Sequence, residues 1–330
     1  ALVNYSLRVA RLSNPEATTK WPEKVKVEFT RRLDRSVEPD PRFSTTLGRY
    51  LPNLYYLDGQ WVECNINRIF PKKIEEHWQA AMEGYLLGSR VYSHIYDLIS
   101  GNNHYAKAVV TDFPSNEITK RLIHHLCVGY LLEKEDLRDK GSPFHKCVDR
   151  WNTEDILEMI WFFWTQREYL VEKEASNTQA NQVELVSKQK ARILDFWRVV
   201  FEVLRNKGEY TESEEKIASN LATLSCYLKA LDDENLGWLK LSAKYVEKNF
   251  NSSFFIEYLL RLCDVSISQV GIVYLEMLEY NTPTYHQDHI RGIVTKLYEA
   301  GEIEAANRIC NIYGSCGIDF LRDVYERYNP

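Results

Sequence analysis

The sequence predicts an all-α protein in which antiparallel helix pairs stack as an α-solenoid. Apolar residues recur with a helical period along most of the chain, which is typical of helices that bury one face. No proline occurs from residue 144 to residue 282, and no sustained alternation of apolar and polar residues is bounded by Asn-Gly or Asp-Gly. More than a dozen helices are expected, which exceeds one closed bundle and favours a stack.

The composition is typical of a globular chain that folds in water. Of its 330 residues, 45% are hydrophobic and 27% are charged, which excludes disordered and membrane-protein compositions. The net charge of -6 argues against broad binding to nucleic acid or to an anionic membrane. The N-terminus lacks the apolar stretch of a signal peptide, and we expect no transmembrane span. The seven cysteines include no CxxC motif, which favours a reducing, cytoplasmic location.

Residues 1–112 are expected to form an N-terminal helical region with irregular segments. Val25, Phe29 and Leu33 recur every four residues and indicate an amphipathic helix. Prolines interrupt the next stretch, so residues 43–70 are predicted to form short helices and turns before regular helices return.

Residues 113–330 are expected to form the helical-repeat region, packed continuously on the first. Asn152 and Thr153 precede a nearly uncharged run over residues 156–164, which predicts a capped helix buried on most sides. This helix and a later one are expected to supply the structural core. The predicted core residues are Ile156, Ile160, Trp161, Phe163, Trp164, Phe196 and Trp197.

Two further patterns support the helical reading of this region. The motif Ile160-x-x-Phe163-Trp164 returns 33 residues later as Ile193-x-x-Phe196-Trp197, within the length of known two-helix repeats. No complete repeat signature is present, so the repeats are expected to be degenerate and HEAT- or TPR-like. Three pairs of residues have the spacing of capping boxes at helix starts. They are Thr211 with Glu214, Ser266 with Gln269, and Thr284 with Gln287.

The common catalytic and nucleotide-binding motifs are absent from the sequence: it contains no GxxxxGK[ST], GxGxxG, GxSxG or HExxH. We therefore predict no catalytic residue and no cofactor. The best metal candidates are His286 and His289, spaced to share one helix face. A second set could supply imidazole and thiolate ligands, although capping, packing or solvent exposure is the better explanation of both sets. It comprises His124, His125, Cys127, His145 and Cys147.

Other reactive or charged groups have simpler explanations. Cys310 and Cys316 could form a redox pair, but the glycines near them indicate a helix end, with Cys310 in the core. The densest basic group is interleaved with carboxylates, as on a solvated helix face, so contact with nucleic acid is not expected. It comprises Lys24, Lys26, Arg31, Arg32 and Arg35. Tyrosine is abundant, and tyrosines outside the apolar stripes are expected to mark a binding surface.

Several segments carry a resemblance to a known class of proteins. They are IHHLCVGYLLEKE, WNTEDILEMIWFFW, ILDFWRVVFEVL and YEAGEIEAANRICNIYG. Residues 113–330 thereby resemble the degenerate helical-repeat C-terminal regions of large bacterial multidomain proteins, including STAND-type NTPases and sirtuin-linked antiphage defence proteins. The stretch from Glu302 to Ile312 also resembles a tetratricopeptide helix. The resemblance implies a region that senses a foreign protein while a separate domain acts.

These observations together predict a non-catalytic sensor or scaffold module of a larger bacterial, antiviral-defence protein, with a protein partner. Any enzymatic activity would then lie in a domain outside this chain, and domains of that kind could make it a homo-oligomer. Two alternatives stay open: an all-helical enzyme with a metal or carboxylate site between helices, and a structural oligomerisation region.

Overall fold

The structure, a computed structural model, describes residues 1–12, 20–88, 90–172, 180–246 and 250–330. Within these ranges the secondary structure is entirely helical and contains no strand, which confirms the predicted all-α class. The chain divides into two compact units, Ala1–Trp151 and Asn152–Pro330.

The first unit consists of ten helices over the residues described. Several begin at prolines or at side-chain caps: the carboxylates of Asp40 and Asp58 and the hydroxyl of Ser115 each accept a backbone N–H of the first turn that follows. The helices are α1 (Leu2–Leu12), α2 (Glu23–Arg32), α3 (Pro41–Arg49), α4 (Leu51–Leu57), α5 (Gly59–Ile69), α6 (Glu75–Gly88), α7 (Ser93–Gly101), α8 (His104–Val109), α9 (Asn116–Leu131) and α10 (Pro143–Asp149).

The second unit continues with longer helices. In its described part these are α11 (Thr153–Thr165), α12 (Ala180–Arg205), α13 (Glu212–Leu221), α14 (Asp233–Tyr245), α15 (Phe250–Leu278), α16 (Gln287–Glu299), α17 (Ile303–Ser315) and α18 (Arg322–Tyr328). A π-helical turn, Glu168–Glu172, follows α11, and a 3-10 helix, Ala222–Tyr227, continues α13. The loop predicted in the first half of 173–190 lies mostly outside the described residues.

The predicted boundary between residues 112 and 113 lies inside the first unit. Helix α9 follows that boundary in the chain, yet it packs on α6, which precedes it. Leu122, Ile123 and Leu126 of α9 are buried. Tertiary packing therefore assigns α9 and α10 to the first unit, although their helical pattern resembles that of the later chain.

Helices α3 and α6 approach each other unusually closely because glycines line their crossing. A Cβ atom on Gly48 would overlap the carbonyl oxygen of Ala81, and one on Gly84 would overlap the carbonyl oxygen of Thr45. At the end of α6, a Cβ atom on Gly88 would lie 2.9 Å from the Cα atom of Arg49. The two backbones are therefore in direct contact, which only residues without side chains permit.

Several polar contacts that join different elements span 32 to 36 residues, whereas others span from 20 to 64 residues. In the first unit, Lys26 forms an ion pair with Asp58 and Ser44 forms a hydrogen bond with His77, at separations of 32 and 33 residues. In the second unit, Arg198 pairs with Glu234 at a separation of 36 residues. Further contacts of the second unit have separations from 32 to 35 residues: Asp264 with Lys296, Arg291 with Asp323, Ser268 with Glu302, and Leu231 with Ser266.

The aromatic echo found in the sequence is also a contact in space. The rings of Phe163 and Phe196 lie 5.1 Å apart in an edge-to-face arrangement. Residues in equivalent positions of two similar segments therefore pack against each other.

The predicted helix starts are only partly correct. Thr211 and Glu214 form the expected capping box. The prediction for Thr284 is wrong: α16 begins at Gln287 after His286, whose φ of 58° is left-handed, and the Gln287 side chain donates to the Thr284 carbonyl oxygen instead. Ser266 breaks α15 with φ −147° and ψ 48°, but its hydroxyl accepts the backbone N–H of Leu231 at 2.8 Å.

One segment contradicts the expectation that nothing in the chain is long and apolar enough to span a membrane. Ser253–Leu278 of α15 satisfies that criterion by length and composition, with a hydropathy of 1.3. Half of its most apolar window is buried within the protein, as in the core helix of a water-soluble fold, and Ser266 interrupts it. The segment is therefore weak evidence for a membrane span.

Candidate functional site

The first unit contains an open surface cleft of about 750 Å³, which we name the tyrosine cleft. Helix α4 supplies one wall through Tyr55 and Tyr56. The segment that joins α6 to α7 supplies the other wall through Arg90 and Tyr92, and His94 follows in the first turn of α7. The remaining lining residues are Pro52, Asn53 and Gly88.

The close crossing of α3 and α6 positions this cleft. Gly88 ends α6 against the backbone of Arg49, next to the start of α4 at Leu51. The chain that leaves α6 therefore stays beside α4 before α7 begins. A side chain at position 88 would separate the two walls.

Four of the eight described lining residues of the cleft are aromatic. The rings of Tyr55 and His94 lie 4.7 Å apart, and those of Tyr92 and His94 lie 6.1 Å apart. Tyr56 is 51% exposed and Tyr92 is 45% exposed, and aromatic side chains gain free energy when they are buried. The exposed rings are therefore available to pack on another molecule.

The cleft carries positive charge, and none of the lining residues that the structure describes is a carboxylate. Arg90 is exposed, and none of the described residues forms a hydrogen bond or ion pair with its guanidinium group. Lys20 places its ammonium nitrogen 4.6 Å from the ring centroid of Tyr56. The nearby carboxylate of Glu63 accepts a hydrogen bond from the Tyr55 hydroxyl at 2.7 Å, which raises the pKa of that tyrosine.

The predicted metal candidates do not converge on a site. The rings of His286 and His289 stack with centroids 5.6 Å apart. In the part of the chain that the structure describes, no three His, Cys, Asp or Glu side chains are grouped as metal ligands would be. Two histidine nitrogens alone leave a tetrahedral zinc site incomplete.

The second candidate set is dispersed within the first unit. Nδ1 of His125 is 3.0 Å from the hydroxyl of Tyr105, and Nδ1 of His145 is 2.5 Å from the carbonyl oxygen of Leu137. Cys127 and Cys147 are fully buried as free thiols. These side chains therefore have separate packing and hydrogen-bonding environments.

A buried polar network surrounds His125. The hydroxyl groups of Tyr85 and Tyr105 lie 3.0 Å apart, and Tyr105 continues to His125. Nearby, Glu135 accepts hydrogen bonds of 2.5 Å from the hydroxyl groups of Tyr96 and Ser142. All of these side chains are buried, so the network joins helices rather than facing a substrate.

The remaining reactive candidates also have local structural explanations. Cys310 is 8% exposed, its sulfur lies 3.8 Å from the hydroxyl of Tyr298, and burial raises the pKa of its thiol. It is a free thiol, as is the exposed Cys316. The predicted basic group on α2 is partly neutralised, since Glu28 pairs with both Arg31 and Arg32.

The predicted core of the second unit differs from expectation at two tryptophans. Ile156, Ile160, Phe163, Phe196 and Trp197 are at most 1% exposed. Trp161 is 51% exposed, because α11 packs on its neighbours along one face and Trp161 lies on the other.

Trp164, also expected in the core, is only partly buried. The guanidinium carbon of Arg167 lies 3.7 Å from the centroid of its ring. Its environment is therefore partly polar.

The residues of the tyrosine cleft were not identified individually from the sequence. The only available signal was the abundance of tyrosine outside the apolar stripes, which did not distinguish Tyr56 and Tyr92 from others. Comparison with known protein families, curated proteins and solved structures finds no match to the chain.

Proposed function

We propose that this chain is a non-catalytic protein-recognition module in which antiparallel helix pairs stack as an α-solenoid with degenerate, HEAT- or TPR-like repeats. The observation that carries the proposal is the recurring separation of 32 to 36 residues between polar groups that join different helices. In a stack of helix pairs, equivalent helices of successive repeats lie side by side, so their contacts are one repeat length apart. A repeat of this size is typical of two-helix units, for which about 34 residues is a common length.

The packing of the second unit supports the same arrangement. Each of its later helices packs on the next one along the chain: α14 on α15, α15 on α16, α16 on α17 and α17 on α18. Helix α15 also packs on α17, one position further along. Contacts of these later helices with their neighbours and next neighbours are the pattern of a quasi-one-dimensional stack.

A stack of this kind suits recognition better than catalysis. Its core is continuous, while one side of each helix remains available to another molecule. The second unit exposes large apolar side chains on several helices, among them Trp161, Val265 and Ile303. Tryptophan and tyrosine are enriched among the residues that dominate protein–protein binding.

The biological setting follows from the resemblance of residues 113–330. We place the module in a larger cytoplasmic protein of bacterial antiviral defence, where it recognises a foreign polypeptide and a separate domain responds.

Selection of ligands from an unbiased peptide-display library tests this function. We expect the immobilised full chain to enrich peptides that bind it in isothermal titration calorimetry and that slow amide hydrogen exchange on particular helices. Scrambled versions of the same peptides are the control. The proposal fails if no enriched peptide binds better than its scrambled version.

A further inference from the structure

The tyrosine cleft offers flat aromatic surfaces that the described residues leave partly exposed. Tyr56 and Tyr92 are both about half exposed on its two walls. Tyrosine rings pack well on the flat faces of proline and of other aromatic side chains, and aromatic grooves of this kind bind extended proline-containing segments. The shape and surface therefore favour an extended chain with proline or aromatic side chains.

The charge of the cleft is opposite to that of the whole chain. The protein has a net charge of -6, yet among the described residues that line the cleft the only charged side chain is Arg90. Lys20 adds a second cation above Tyr56. A guanidinium group in this position can form two parallel hydrogen bonds with a carboxylate, which makes an acidic ligand complementary.

The cleft is partly organised before any ligand binds. Tyr55 is held by its hydrogen bond to Glu63 and by its contact with the ring of His94. Gly88 fixes the opposite wall through its contact with the backbone of Arg49. Binding then orders few additional side chains, which lowers its entropic cost.

Single-stranded nucleic acid is the less favoured ligand of an aromatic surface with positive charge. Its backbone requires a groove in which cations follow successive phosphates. The tyrosine cleft combines one lining cation with the neutral polar groups of Asn53 and His94. Such groups suit the amide backbone and the single carboxylate of a peptide.

We propose that the tyrosine cleft binds an extended acidic peptide segment, with proline or aromatic side chains seated on Tyr56 and Tyr92 and a carboxylate paired with Arg90. This inference rests on the proposed recognition function and names the class of ligand for one site.

Two hexapeptide libraries supply the test. Both contain proline, tyrosine, phenylalanine and tryptophan at the four inner positions; one has glutamate at both ends and the other has lysine. The full chain is incubated with each library, and retained peptides are quantified by mass spectrometry. We expect at least fivefold greater retention of the glutamate library.

Variants of the cleft assign the binding to particular residues. We expect Arg90→Glu to lower retention of the glutamate library about tenfold and to raise that of the lysine library. Tyr56→Ala and Tyr92→Ala should each lower retention several-fold. Tyr280→Ala, which removes a similarly exposed tyrosine of the second unit, is the matched control and should change nothing. All four positions are exposed, so circular dichroism should show unchanged helix content and melting temperature.

The possible failures are distinct from those of the proposed function. Equal retention of both libraries, or retention unaffected by Arg90→Glu and by the tyrosine variants, overturns the cleft assignment. The cleft assignment is also overturned, in favour of nucleic acid, if neither peptide library is retained but a thymidine decamer binds. In that case Tyr56→Ala and Tyr92→Ala would abolish binding of the decamer. If display selection still yields peptides that protect other helices, recognition stands and only this site is rejected.

Discussion

Individual side chains of this protein are distinguished chiefly by burial, and the histidines illustrate it. Burial lowers the pKa of His104 to about 3, with Lys72 and Lys107 contributing. Burial also lowers the pKa of His125 to about 3, with smaller contributions from His124 and Arg121. Both imidazoles are therefore neutral in the folded state at physiological pH, although an exposed histidine would begin to ionise near pH 6.5.

The first prediction concerns acid stability. The unfolded chain takes up a proton at each position below about pH 6.5, whereas the folded chain does so only near pH 3, so the stabilisation is complete above pH 6.5 and is lost as the pH falls. At pH 5 each histidine should cost about 2 kcal/mol of unfolding free energy. Urea unfolding at pH 7.5 and pH 5 measures this loss.

Substitution isolates the contribution of one histidine. His125→Gln should lower stability at pH 7.5 but reduce the loss between the two pH values by about 2 kcal/mol. His94→Gln, at an exposed histidine of the cleft, should leave the loss unchanged. An identical pH dependence in His125→Gln and the unmodified protein would contradict the assignment.

The second prediction compares two aromatic residues of α11. Phe163 is fully buried and contacts the ring of Phe196, whereas Trp161 is 51% exposed. Phe163→Ala should therefore destabilise the protein by about 3 to 5 kcal/mol, and Trp161→Ala by less than about 1 kcal/mol. Chemical denaturation of the two variants measures the difference. Comparable losses would show that Trp161 is part of the core.

At the scale of the element, helix ends follow local rules while helix contacts depend on distant residues. Asn152 caps α11 by accepting the backbone N–H of Asp155 at 3.1 Å, as its position in the sequence predicts. The crossing of α3 and α6 instead requires Gly48 and Gly84 to meet backbone atoms across the contact. The cap of α11 can be predicted from neighbouring residues, whereas the crossing of α3 and α6 cannot.

The third prediction concerns this crossing. Gly84→Ala introduces a methyl group where the carbonyl oxygen of Thr45 lies, so the helices must separate. We expect the free energy of unfolding to fall by about 1 to 3 kcal/mol and the tyrosine cleft to be disturbed. Thermal and urea unfolding measure the loss, with Gly101→Ala as the matched control.

No atom lies within 4 Å of a Cβ atom built at Gly101. That substitution should be neutral or stabilising by up to about 1 kcal/mol, since alanine loses less conformational entropy on folding. Equal effects of the two substitutions would disprove close packing at Gly84.

At the scale of the whole molecule, the proposed repeat depends on polar contacts that span 32 to 36 residues. Such contacts occur in both units, among others of different separation. The sequence itself has one recognisable echo.

The fourth prediction tests the repeat by deletion. Removal of residues 267–301 excises the second half of α15 together with α16, and α17 then follows the first half of α15. If helix pairs are the repeating unit, the shortened chain should keep its helix content per residue and a cooperative thermal transition, at a lower melting temperature. Circular dichroism measures both quantities.

Removal of a single helix is the control. Deleting residues 285–301 removes only α16. Helix α17 then directly follows the second half of α15, in the position that α16 occupies in the repeat. We expect this variant to lose cooperative unfolding, because its apolar faces no longer match. Retained cooperativity in the second variant, or its loss in the first, would contradict the repeat.

The sequence by itself determined the helical class, most helix positions and several caps, because these depend on the period of apolar residues and on groups within a few positions of each other. Tertiary structure alone decided that Trp161 is exposed, that α9 belongs to the first unit, and that α3 and α6 touch through glycines. It also decided the tyrosine cleft, whose walls come from residues 52–56 and 88–94. Which side of a helix is covered, and which distant side chains meet, depends on the whole set of packed neighbours, and that information is not contained in any local stretch of sequence.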